Sequence, residues 1–216
     1  MPKLRVTYNA PVVLTFALLA LVVTFLPLDV RRHYFAAHND FYEWTSYTGL
    51  FLHTLGHANW EHYLGNFMLI LLIGPILEER HGSMKLLMMI AITALVTGLI
   101  NIAFANQFLM GASGIVFMMI LLASTANIRS GEIPLTFIAI AVIYLGGEIY
   151  RAVTSDDNVS RMAHLLGGVS GAAFGFLGAR TRGDDKPIKS IGGLPTAAAT
   201  ELQKNRPAKP KISAEL

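Results

Sequence analysis

Ser113 follows Gly111 and Ala112, precedes Gly114, and opens a long apolar run. The small residues let backbone approach another chain closely. A serine at a helix start has free N–H groups and the positive end of the dipole beside it, which are natural donors for an oxyanion. The chemistry these features suit is acyl transfer by an activated hydroxyl. The same residues also read as an N-cap serine in a glycine-rich turn. His164 is available as a base. It lies beside a face on which Ala163, Gly167, Gly171 and Gly175 recur every four residues. Such a bare face lets a second membrane helix pack closely, bringing a partner serine within hydrogen-bond reach of a neutral imidazole. The plainer reading is a packing stripe with an interfacial histidine.

His62 and Asn66 are four residues apart and share a helix face. Both donate hydrogen bonds, and a donor pair suits a tetrahedral oxyanion. His53, His57 and His62 raise metal binding as an alternative. An H-E-x-x-H motif is absent, because Glu61-His62 has no second histidine three residues later. We therefore assign no metal and no cofactor, and read His53 and His57 as structural loop histidines.

The elements that must hold these groups are membrane spans. The chain has 216 residues, 53% of them hydrophobic and 14% charged, with a mean hydropathy of +0.50. Long apolar runs with few charges mark spans. They fall at about 12–28, 62–77, 84–104, 113–128, 133–149 and 161–179. Lys3 and Arg5 precede the first, which meets Pro27, Asp29, Arg31 and Arg32 without a small-x-small site and reads as an uncleaved span. Residues 29–61 form a long loop rich in aromatics and histidine. The expected organisation is a cytoplasmic segment 1–11, a membrane domain 12–179 and a flexible cytoplasmic tail 180–216. With no cysteine, disulfides and a thiol nucleophile are excluded. The net charge of +3 points to a membrane surface and away from nucleic acid.

Of 17 lysines and arginines, 13 fall in segments that are internal if the N-terminus is internal, eight of them in the tail. Both termini are therefore expected in the cytoplasm. Three spans then run inward, carrying His62 with Asn66, Ser113 and His164. Each of His62, Ser113 and His164 precedes a charge at the inner end by 16 residues (62 to 78, 113 to 129, 164 to 180). At about 24 Å above that boundary, all lie at one depth inside a core about 30 Å thick. Polar groups there are costly unless they pair or face water.

Together the motifs resemble the rhomboid proteases from Trp44 to Gly178. They are Phe51-Leu52-His53, His57, His62-x-x-x-Asn66, Glu78-x-x-x-Gly82, Gly111-Ala112-Ser113-Gly114, and Ala163-His164-x-x-Gly167-x-x-x-Gly171. The resemblance implies an all-α, six-helix membrane bundle of the bacterial type, in the cytoplasmic membrane. Ser113 would be the nucleophile and His164 the base of a dyad with no aspartate. His62, Asn66 and the Ser113 N–H would form the oxyanion hole, and Glu78 with Gly82 a structural pair. The implied partners are single-span membrane-protein substrates and the lipid bilayer. Two positions depart from the family. A common Trp-Arg pair reads Trp44-Thr45, and a tyrosine that packs on the catalytic histidine in some members is Phe117. A non-catalytic binder of membrane spans and a small transporter are the competing classes. No internal repeat and no midplane acidic pair favours transport.

Overall fold

The computed structural model describes residues 7–40, 42–104, 107–125, 133, 135, 137–140, 142–143 and 158–181. The tail and most of the expected span 133–149 lie outside these residues, as do Asn106, Arg129, Glu148 and Arg151. Among the described residues the structure is helical, apart from one antiparallel bridge between Ala37 and Leu109.

The helices are α1 (Pro11–Thr24), α2 (Leu28–Tyr34), α3 (Trp44–Leu52), α4 (Trp60–His81), α5 (Ser83–Phe104), α6 (Ser113–Ser124) and α7 (Asn158–Thr181). α4 and α5, at 22 residues each, are long and apolar enough to cross a membrane. Each is about 33 Å long, a match for the hydrocarbon core. α1 is shorter than the apolar run that contains it, ending at Thr24 instead of near residue 28. The long first loop is not irregular. It holds α2 and α3, and Gly98 lets the α3 backbone at Leu50 rest on α5, with Leu50 Cα 3.0 Å from where a Cβ would stand.

α6 is the centre. Every residue from Gly114 to Leu122 is buried, and an all-round apolar helix belongs inside a bundle. It packs against α4, α5 and α7, while α1 lies on α4. The outward faces are apolar too. Leu18 and Val22 on α1, Met68 and Leu72 on α4, and Met88 and Ile92 on α5 are all exposed. Apolar side chains on both the inside and the outside fit lipid as the solvent.

Glu78 ties neighbouring ends of three helices together. α1 begins at Pro11 with no side-chain cap of its own, so its first N–H groups need acceptors. The buried Glu78 carboxylate accepts from Val12 N–H and Val13 N–H, both at 3.0 Å, and from the Ser83 hydroxyl at 2.7 Å. A carboxylate at a helix N-terminus is also favoured by the dipole. Gly82 ends α4 at φ 83°, a conformation that side chains other than glycine's strain to adopt. The structural roles expected for Glu78 and Gly82 follow from this geometry. Glu78→Ala should cost about 2–3 kcal/mol of stability, measured by thermal unfolding in detergent. Glu78→Gln, which keeps one acceptor oxygen, should lose about half as much.

Candidate active site

Ser113 is the first residue of α6, and the N-cap is Ala112, with no side-chain cap bond. The hydroxyl of Ser113 is thus not spent on capping, which removes the plainer reading of the glycine-rich turn. The preceding Gly111 has φ 138°. A Cβ there would stand 2.7 Å from the His62 ring and 3.8 Å from Asn66 Nδ2. Glycine is needed at this position both for its backbone angle and for space. The same distances bring both expected donors from α4 to the turn that carries Ser113.

Asn66 is buried, and its Nδ2 has no hydrogen-bond partner. An unmet buried donor costs about 1–3 kcal/mol. Against an apolar background, such a donor points to a role other than stability. His62 is half-buried and close enough to His164 to interact electrostatically.

α7 reaches the site through its small residues. A Cβ on Gly167 would strike the Gly114 carbonyl, one on Gly171 the Met118 carbonyl, and one on Gly175 the Thr125 hydroxyl. A Cβ on Gly114 would itself lie 3.2 Å from the Ala163 carbonyl. The four-residue repeat of α7 therefore runs along α6 backbone to backbone. Gly114 and Ala163 are the sequence neighbours of Ser113 and His164, so those two residues stand on facing turns. The His164 ring stacks on Phe117, with centroids 4.5 Å apart and planes 10° apart. Phenylalanine therefore supplies the flat packing surface without a hydroxyl.

Sequence reading did not find what holds the turn that carries Ser113. Gly111 N–H donates to the His53 carbonyl at 2.9 Å, and Ala112 N–H to His57 Nε2 at 3.4 Å. His53 Nδ1 meets the Gly49 carbonyl at 2.9 Å, and Nε2 meets the Thr97 hydroxyl at 3.3 Å. His57 Nδ1 meets the Leu55 carbonyl at 3.2 Å. A carbonyl only accepts, so both rings carry the proton on Nδ1 and present Nε2 as acceptor. Asn101 Nδ2 donates to the Ala37 and Gln107 carbonyls, at 3.2 and 3.1 Å. Thr93, Thr97 and Asn101 recur every four residues along the largely apolar α5, a spacing that was readable. At the family's Trp-Arg position, Trp44 is exposed and Thr45 is fully buried, so Thr45 faces the protein and not the lipid.

Among the described residues, no cluster of three or more histidine or acidic side chains is placed to hold a metal ion. Burial pushes the His53 and His57 imidazoles from 6.5 down to about 4; His57 is lowered further by the nearby His62 and, less strongly, Arg31. Unfolding lets both rings return to about 6.5. Their neutral, folded form thus contributes stability above pH 6.5 that is lost as pH falls from 6.5 toward 4.

Comparison with known proteins gives a consistent match. The family model described as Rhomboid domain matches residues 43–181. Rhomboid-related protein 1 of Caenorhabditis elegans is 35% identical over 134 residues, covering 56% of this chain and 37% of that protein. Rhomboid protease GlpG of Haemophilus influenzae is 23% identical over 133 residues, covering 60% of this chain and 69% of that protein. The aligned part is thus little more than a third of the nematode relative's length.

Two outcomes test this geometry. Gly167→Val should separate α6 from α7 and lose about 1–3 kcal/mol of stability or more, while Gly178→Ala, which meets open space, should be neutral in the same thermal melts. Stability measured by thermal unfolding in detergent should fall between pH 6.5 and 4, by on the order of 3 kcal/mol per histidine. A His53→Gln, His57→Gln double variant should start lower and show a flatter slope.

Proposed function

Because the chain belongs to the rhomboid family, an integral membrane helix bundle, we propose that it is an intramembrane serine endopeptidase cleaving transmembrane or juxtamembrane segments of single-span membrane proteins. Ser113 is the nucleophile and His164 the general base. The observation that carries this reading is the close seam of Gly114 and Ala163 against Gly167 and Gly114, which faces the Ser113 turn toward the His164 turn. One relative's name, rhomboid protease, agrees with it.

In this mechanism the neutral His164 takes the Ser113 proton as Oγ attacks the scissile carbonyl. The C=O electrons move onto oxygen. His62, the unpartnered Asn66 amide and the Ser113 N–H donate to that oxyanion. His164 then gives its proton to the departing amine, and the peptide C–N bond breaks. Water, activated by the same imidazole, hydrolyses the acyl-enzyme. Phe117 holds the ring flat through both transfers. No aspartate is assigned to orient it, so the stacking takes that part.

A site level with the outer third of the bilayer admits water from outside. The positive charges favour both termini in the cytoplasm, which is consistent with six spans, and the resemblance to bacterial members suggests the cytoplasmic membrane of a bacterium. A helical peptide bond is shielded by its own hydrogen bonds, so substrates with small or helix-breaking residues near the cleaved bond are favoured.

Ser113→Ala should abolish cleavage of a reporter span by the purified protein while leaving its thermal unfolding unchanged. A fluorophosphonate should label wild type at Ser113 and spare His164→Ala. Equal labelling of the two would sink the dyad, and a folded wild type that resists the probe would leave a binding protein as the reading.

A further inference from the structure

Arg31 is a buried cation that hydrolysis does not use. It lies on α2 and is 9% exposed. Its Nη1–H donates to the His57 carbonyl, while its Nε is buried with no hydrogen-bond partner. No carboxylate among the described residues forms an ion pair with it. A buried charge without a counter-ion is expensive, on the order of several kcal/mol. Among the described residues, the directional contact that offsets this cost is the bond to His57.

His57 in turn touches two parts of the candidate site. Its Nε2 accepts from Ala112 N–H, the residue before Ser113. Its ring meets the His62 ring edge-on, with centroids 5.1 Å apart. Tyr63 and Phe67 close the other sides, both at 5.6 Å. The Leu55 carbonyl fixes Nδ1, so the imidazole cannot turn without giving up a bond at each nitrogen. One ring is thus wedged between the nucleophile's turn and the first oxyanion donor, and its backbone is pinned by Arg31.

We infer that Arg31 and His57 are positioning residues, a relay by which the first loop sets the register of Ser113 against His62. Neither touches the reacting atoms. The relay rests on the roles proposed for Ser113 and His62. It adds that their mutual placement is imposed from α2 and the 53–57 segment, and not by α4 and α6 alone. Ser113 and the α4 donors sit on different helices. Small slips between α4 and α6 would therefore move the oxyanion away from its donors. Misplacement of about 1 Å is enough to cost on the order of a hundredfold in rate.

The test uses the full chain in detergent micelles and four variants: Arg31→Gln, Arg31→Lys, His57→Phe and His57→Gln. Amide hydrogen exchange over residues 109–114 reads the position of the turn without any chemistry. Fluorophosphonate labelling of Ser113 reads its consequence. Arg31→Gln and His57→Phe should speed exchange over 109–114 and lower the limiting labelling rate roughly ten- to a hundredfold. The probe concentration giving half that rate should change little. His57→Gln, whose side-chain oxygen can accept from Ala112 N–H, and Arg31→Lys, which keeps one donor, should recover much of the loss. Equal losses in His57→Gln and His57→Phe would overturn the relay. So would unchanged exchange in folded Arg31→Gln, or faster exchange with labelling untouched. If Arg31→Gln does not fold, the His57 pair decides alone. A wild type that resists the probe would refute the nucleophile, while the exchange data would still judge the relay.

Discussion

The contact on which the structure depends is the meeting of α6 and α7 at backbone distance. Gly167, Gly171 and Gly175 give up side chains so that the carbonyls of Gly114 and Met118 and the Thr125 hydroxyl can lie against α7. In lipid, apolar side chains gain little by leaving their solvent. Helix association then rests on close van der Waals contact, which small residues permit. The same contact sets the chemistry. A methyl group at Gly167 would push apart two helices whose adjacent residues are Ser113 and His164. Packing and the proposed catalysis are therefore one constraint, and the glycine repeat serves both.

Around that seam the protein handles polar groups in an apolar medium in two ways. Most are paired. Glu78 answers the uncapped start of α1, Thr97 answers His53, and Asn101 answers two loop carbonyls. A few are not. Asn66 Nδ2 and Arg31 Nε are buried without partners. The paired groups hold helices and loops in register. The unpaired amide lies at the turn that carries Ser113, where negative charge would develop in the proposed reaction.

The first loop is part of the scaffold. α2 and α3 are short, and neither has an apolar run long enough to mark it as a span. α3 docks on α5 at Gly98, α2 packs on α3, and the bridge of Ala37 to Leu109 ties the segment after α2 to the turn before α6. Through His53 and His57 the loop grips the two residues before Ser113. The turn is held at Gly111 and Ala112 through their N–H groups, and the N-cap position falls to alanine.

Much of the site was legible in the sequence because its residues stand out chemically. Polar side chains in apolar runs are costly, so Ser113, His164, His62 and Asn66 announce themselves. The four-residue glycine repeat announces a close helix partner but does not say which one. Helix-forming runs follow from local composition, and five of the described helices fall on expected spans. What the sequence could not contain is pairing across long separations. Glu78 with Val12, Arg31 with His57, and His57 with Ala112 are joined only when the chain folds. The roles of His53 and His57, and the hydroxyl of Ser113 freed from capping, depend on such pairings. Residue type determines what a group can do, but only tertiary structure determines what it is next to.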